Sequence, residues 1–280
     1  ETDEVISSFA SVLPIRSQVE KRQGLSHARN CAVEAANGRY ILWTDDDVVV
    51  GTRWLVAFAE AFRQYPEDVV FGGPILPEFT GVPPKWLVQA MQENDIDHIY
   101  ALRNLGGEAI ALGMEDENVP HGANFAVRTE ELRQFPFDPR LGVRKYEQIR
   151  GEETDVVRNI MSSGATGRWV PNAPVRHVIP RHRQTISWYC KFFVGEGRLK
   201  MRSEPEAIYS SRRNLPRWLA SWKILFFTII SLFLYAYKRM FCSPAIWCEE
   251  LARTGRHWGM YLEYWNANRQ KVLDFVTAHV

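Results

Sequence analysis

Charge imbalance is the first thing this chain lacks. Its 280 residues carry 34 Lys/Arg against 33 Asp/Glu, a formal net charge of +1, so no global electrostatic attraction to nucleic acid follows and none is expected as a partner. Cysteine is scarce. Cys31, Cys190, Cys242 and Cys248 have no paired Cys-x-x-Cys spacing, which excludes a zinc site of that type and a small disulfide scaffold. Isolated buried thiols in a reducing compartment are expected instead. Internal repeats and low-complexity segments are also missing. The uncharged stretch Ile224–Tyr237 has 14 residues, short of the roughly 20 that a membrane span needs. What is present is the 46% apolar content of an ordinary globular protein, in a length that holds one large domain or two small ones.

Asp45, Asp46 and Asp47 directly follow Arg39-Tyr40-Ile41-Leu42-Trp43-Thr44, a run that reads as a buried strand. Adjacent carboxylates repel one another and are costly to desolvate. A divalent cation removes that cost, and hard cations take oxygen ligands. A bound metal could also neutralise the diphosphate of a nucleotide-activated substrate. An acidic surface turn is the alternative.

The flanking sequence bears on that choice. Gly24-Leu25-Ser26-His27-Ala28-Arg29-Asn30 opens a helix with Ser26 as its N-cap, a small apolar face at Ala28, Ala32, Ala35 and Ala36, and Gly38 as a stop. After the triad, Trp54, Leu55, Phe58 and Phe62 repeat at helical spacing, and Val69-Val70-Phe71 reads as a strand. Alternating strand and helix imply a mainly parallel sheet covered by helices, which binds ligands beyond the carboxyl ends of its strands.

Gly24–Asn30, Gly38–Trp43 and Asp45–Asp47, in that order and spacing, resemble the nucleotide-sugar-binding half of family 2 glycosyltransferases. The resemblance implies the GT-A fold, a Rossmann-type mixed sheet flanked by helices. It also implies that Asp45 and Asp47 match an Asp-x-Asp element holding Mn²⁺ or Mg²⁺ and the sugar-nucleotide diphosphate. Asp46, facing the other side of an extended chain, is counted with the substrate-binding residues. Arg29 matches an arginine near the nucleotide. Family members begin with further strands, and Glu1–Val5 looks like the tail of an Asp-rich turn that follows them. The chain therefore reads as N-terminally truncated, with its nucleobase-binding strand upstream of Glu1.

The remaining candidates follow. His121-Gly122-Ala123-Asn124 precedes a short strand at Phe125-Ala126-Val127. The resemblance puts Asn124 under the sugar, and a turn residue bonding its own backbone is the alternative. Gly151-Glu152-Glu153-Thr154-Asp155 precedes a helix marked by Val156, Val157, Ile160 and Met161. Acidic residues suit a helix's first turn on dipole grounds alone. The resemblance makes the second carboxylate, Glu153, the catalytic base, with Glu152 the other candidate. An acceptor hydroxyl needs such a base, and one base with no second carboxylate nucleophile implies inversion. His177, in the expected strand Pro174–Val178, is a candidate third metal ligand by the same resemblance. Arg181 and Arg183 are candidates for clamping a diphosphate or an anionic acceptor.

The C-terminal third differs. Arg181–Lys223 holds ten Lys/Arg against three Glu, and Trp218–Tyr237 is apolar except for Lys223. Basic residues flank both ends, at Arg212, Arg213 and Arg217 and at Lys238 and Arg239, which favours an interfacial helix or a re-entrant hairpin over a span. Pro244 is expected to end this element. Trp247, Leu251, Trp258, Leu262 and Trp265 suggest a final amphipathic helix.

The sequence thus describes a GT-A domain over residues 1–185 and a helical, membrane-associated region over 186–280. Together they read as an inverting, metal-dependent glycosyltransferase, peripheral or single-helix anchored at the cytoplasmic face of a membrane. Its donor would be a nucleotide-diphosphate sugar and its acceptor a glycan or a lipid-linked sugar. A nucleotidyltransferase, or a non-catalytic GT-A-like binding or assembly subunit, is the alternative.

Overall fold

The computed structural model describes residues 2–94, 96–113, 118–142, 151–203 and 217–278, apart from the side chains of 203, 217–220 and 268–278. Arg212 and Arg213, two of the expected basic flank, lie outside the described residues, as do Glu1 and the side chains of Arg217 and Trp218.

In chain order the elements are α1 (Thr2–Phe9), α2 (Leu25–Ala35), β1 (Tyr40–Trp43), β2 (Val48–Val50), α3 (Trp54–Gln64), β3 (Val70–Gly72), β4 (Ile75–Phe79), α4 (Lys85–Glu93), β5 (Phe125–Arg128), α5 (Thr129–Gln134), α6 (Glu152–Ser162), β6 (Gly167–Trp169), β7 (Val175–Ile179), α7 (Ile186–Ser203), α8 (Arg217–Phe241) and α9 (Pro244–Ala278). Short 3-10 turns occupy Asp97–Tyr100 and Arg181–Gln184. The chain folds as two units. The first takes Glu1–Thr44, Arg53–Gly73 and Leu105–Ala173; the second takes Asp45–Thr52, Pro74–Asn104 and Pro174–Val280.

The first unit is built on a four-stranded sheet of order β1-β5-β3-β6. β5 runs antiparallel to both β1 and β3, and β3 runs parallel to β6. β1, β3 and β6 therefore share one direction, as the strand–helix alternation implied, with β5 inserted against them. The sheet is thus mixed, as the resemblance implied, although not the mainly parallel one that strand–helix alternation alone suggested. The inserted strand arrives some eighty residues after β1, too far along the chain for local alternation to reveal it. Phe125, Ala126 and Val127 of β5 are wholly buried, as are Val156, Val157 and Ile160 of α6 and Trp169 of β6. Each large apolar side chain of this core contributes about 1.5–3 kcal/mol through burial. The full burial of Phe125, Ala126 and Val127 explains the apolar run that opens β5.

Local details of the first unit depart from expectation in three places. Ser26 is not an N-cap. α2 starts at Leu25 behind Gly24 (φ 134°), so Ser26 already lies in the first turn and its hydroxyl donates to the Leu141 carbonyl at 2.8 Å. Gly38 is not the helix stop, since α2 ends at Ala35. Residues after Glu1 form helix α1, with no buried residue, rather than the tail of a turn.

The second unit holds a three-stranded sheet of order β2-β7-β4, with β2 antiparallel and β4 parallel to β7. Its helices α7 and α9 approach backbone to backbone. A Cβ on Gly197 of α7 would strike the Arg256 carbonyl, and one on Gly259 of α9 would strike that of Val194. Glycine is required there because no side chain fits between the helices. Pro244 begins α9 rather than ending α8, its missing N–H costing nothing in a first turn. Trp247 and Leu251 of α9 are buried as expected, whereas Trp258 and Trp265 are exposed. All four cysteines are free, and burial pushes the Cys248 thiol up to about 12.

Candidate functional site

In the second unit the acidic triad forms the turn leading into β2. The antiparallel pairing of β2 with β7 sets Val48 opposite His177, and the Val178 amide donates to the Asp47 carbonyl at 2.8 Å. This register carries the Asp47 carboxylate onto the imidazole: Asp47 Oδ2 lies 3.2 Å from His177 Nε2. The same oxygen accepts from Arg183 Nη1 at 3.2 Å. His177 is buried, at 6% exposure. Its Nδ1 lies 2.6 Å from the Tyr100 carbonyl oxygen. A carbonyl can only accept, so Nδ1 carries the proton. In the neutral ring Nε2 then presents a lone pair to a carboxylate, which needs a positive centre between them. A proton on Nε2 supplies one, and a metal ion supplies another. A ring nitrogen fixed by a backbone carbonyl, with the other nitrogen facing out, is the usual arrangement of a ligating histidine. Asp47 and His177 are thus two donors of the kind a divalent ion takes, with imidazole favouring Mn²⁺ over Mg²⁺, although Arg183 already sets a positive charge on the Asp47 oxygen. Among the described residues, however, no group of three or more His, Cys, Asp or Glu is gathered to hold one. Asp45 is half-buried and Asp46 exposed.

Tyr100 was not legible as part of this cluster. Its carbonyl fixes His177, its hydroxyl donates to the Arg183 carbonyl at 3.2 Å, and its ring stacks on Trp188 at 5.1 Å. Arg181 goes elsewhere: its guanidinium lies against Gly81, where a Cβ would be 2.8 Å from Nη2.

In the first unit, the loop before β5 and the start of α6 meet α2. Arg29 is 5% exposed, and its Nη1 donates to Glu152 Oε1 at 3.0 Å, with Glu153 Oε2 at 3.8 Å. Its guanidinium lies 5.4–5.8 Å from the ring centroids of Trp43, Phe125 and Phe137. Burial in low dielectric is offset by ring faces and carboxylates together. Gly151, in the left-handed conformation (φ 96°), starts α6 and sets the two acids in its first turn. They differ sharply in environment, with side-chain exposures of 4% for Glu152 and 19% for Glu153. Burial, and behind it the charge of Glu153, push the Glu152 carboxyl up to about 7, against the pull of Arg29. Gly122 closes the cluster: a Cβ there would stand 2.7 Å from Arg29 Nη2 and 3.2 Å from Glu153 Oε1.

Asn124 is wholly buried at the carboxyl ends of β1, β3 and β6. Its Oδ1 accepts from Trp54 Nε1 and its Nδ2 donates to the Ala173 carbonyl, both at 2.8 Å. It ties the start of α3 to the end of the unit.

Residues 1–130, a little under half of the chain, match the model of the family described as Glycosyl transferase family 2. The three segments that carried the resemblance, and Asn124, lie inside that match; Glu152, Glu153, His177, Arg181 and Arg183 lie beyond it. The chain is similar to the succinoglycan biosynthesis protein ExoM of Rhizobium meliloti (strain 1021), 23% identical over 189 residues, 68% of this chain and 56% of that protein. It is also similar to the glucosyl-dolichyl phosphate glucuronosyltransferase of Haloferax volcanii, 19% identical over 178 residues, 60% of this chain and 52% of that protein. Among solved structures, S. aureus TarS 1-349 is similar at 11% identity and a TM-score of 0.44, over 95% of this chain and 79% of that one. The chain spans little more than half the length of the curated relatives it matches.

Proposed function

We propose that this chain carries the transfer machinery of an inverting, metal-dependent glycosyltransferase. Its donor is a nucleotide-diphosphate sugar, and its acceptor a hydroxyl or phosphate in cell-surface glycan or lipid-linked sugar assembly. The observation that carries the reading is the Asp47–His177 pair, because the Asp-rich turn lies within the matched residues and His177 is oriented as a ligand. The names of the two relatives support polysaccharide or lipid-linked products.

Asp45, Asp47 and His177 would hold the ion, which when bound neutralises charge on the leaving diphosphate. Arg183 holds the Asp47 carboxylate in place before the donor arrives. Glu153 is the general base, since of the two acids it alone is open enough to reach an acceptor hydroxyl. Glu152 and Arg29 position it from behind, and Asn124 acts through Trp54 and Ala173 rather than by touching substrate. In functional terms residues 1–185 perform transfer, and 186–280 hold the protein to the cytoplasmic face of a membrane.

The test is release of nucleoside diphosphate from a panel of nucleotide sugars by the full-length protein, with and without Mn²⁺. Asp47→Ala should abolish metal-dependent donor binding measured by calorimetry. Pyrophosphate release instead would identify a nucleotidyltransferase, and donor binding unchanged by Asp47→Ala would overturn the metal assignment.

A further inference from the structure

α8 buries its hydroxyl side chains and leaves most of its large apolar side chains open. Its hydroxyl residues Ser221, Thr228 and Ser231 are all buried, at 5%, 7% and 2% exposure. Thr228 Oγ1 donates to the Ile224 carbonyl at 2.9 Å and Ser231 Oγ to that of Phe227 at 2.6 Å. On the open side, Trp222, Phe226, Phe233, Tyr237 and Met240 are 60–76% exposed. Their spacing of four, seven, four and three residues sets them in one stripe along the helix. A helix on the surface of a water-soluble domain has the opposite polarity. Over Ser221–Phe241 the helix is long and apolar enough to cross a bilayer, yet only 17% of that window is buried, so it is not a core helix.

What covers the stripe is indicated by charge. α8 contains Lys223, Lys238 and Arg239 between Ser221 and Phe241, and no acidic residue. Lys223 and Arg239 are exposed and stand at the two ends of the stripe, Arg239 with its guanidinium over the Trp247 ring of α9 at 4.6 Å. Lys238 turns inward to Glu250 at 2.6 Å. Cations bracketing an apolar face complement an anionic lipid surface.

The neighbouring helices decide how far α8 enters. Met201 of α7, Ile224 of α8 and Tyr264 of α9 share one core cluster, so the three helices support one another. α7 and α9 carry water-facing ion pairs: Arg253–Glu249 at 46% and 67% side-chain exposure, and Arg256–Glu196 at 42% and 34%. A bilayer surrounding α8 on all sides would strip water from these pairs.

We infer that α8 is an in-plane docking helix, inserting its stripe from Trp222 to Met240 into one leaflet of an anionic bilayer. Lys223 and Arg239 remain among the headgroups, and α7 and α9 stay in water. This gives a finer geometry to the membrane placement proposed above and is independent of the transfer chemistry.

Flotation of the full-length protein with phosphatidylcholine vesicles, with and without phosphatidylglycerol, tests it. The protein should float with the anionic vesicles and should stay bound when salt is added afterwards. It should release at least partly in alkaline carbonate. Phe226→Ser with Phe233→Ser should weaken vesicle binding at least about tenfold while the thermal melt is unchanged. Lys223→Gln with Arg239→Gln should weaken binding to anionic vesicles only. Full carbonate resistance would make α8 a span and overturn the inference. So would failure to float combined with a dimer, seen by light scattering, that the Phe→Ser pair dissociates, because a second copy would then cover the stripe. Vesicle binding needs no nucleotide sugar, so loss of turnover with flotation intact would count against the proposed chemistry alone.

Discussion

Glu152 and Glu153 are adjacent and chemically identical, yet the fold gives them different surroundings. The motif Gly-Glu-Glu was legible in the sequence, as was its place at a helix start. The difference in burial was not, because it depends on Arg29, 123 residues away, and on the aromatic rings around it. The same holds for Asn124, whose burial is set by Trp54 and Ala173. The split gives two expectations. Glu153→Gln should keep donor binding and lower turnover by about 10²-fold or more, read in a steady-state assay with a parallel binding measurement. Loss of turnover in Glu152→Gln alone would transfer the base role to Glu152. The second expectation concerns pH. Glu152 is raised from 4.5 to about 7, so between those values the folded protein holds a proton that the unfolded chain releases. Its contribution to stability is full below 4.5 and is lost as pH rises through 7. Glu152→Gln keeps an acceptor for Arg29 without the titration. It should therefore be more stable than the wild type at pH 8, by about 1–3 kcal/mol, and should show no gain at pH 4 in chemical denaturation.

At the scale of elements, the segments fixed by local pattern were readable. α2, β1, α3, β5, α6 and β7 fall within a few residues of where apolar spacing and glycine placed them. Pairing was not readable, since β5 enters the sheet between two strands that precede it by many residues. The contact of α7 with α9 was equally hidden: Gly197, Gly255 and Gly259 carry no side chain, and their meaning lies in the backbone opposite. Gly197→Ala should force these helices apart. A loss of about 1–3 kcal/mol is expected in urea denaturation, the usual range for overpacking. The same substitution at Gly107, where a Cβ meets nothing within 4 Å, should be near neutral on steric grounds.

For the whole molecule, each unit is assembled from three separate stretches of chain. No single cut in the sequence isolates either one. This interleaving has a temporal consequence during synthesis. β2 is made early, but its partner in register, Val48 with His177, follows about 130 residues later. At roughly 5–20 residues per second, a ribosome leaves Val48–Val50 without its sheet for about 6 to 26 seconds. Two of those three valines stay exposed even in the finished fold. Nascent chains stalled before residue 175 should therefore show this segment open to protease and to holding chaperones. Chains stalled far enough beyond residue 179 for β7 to have left the exit tunnel should not.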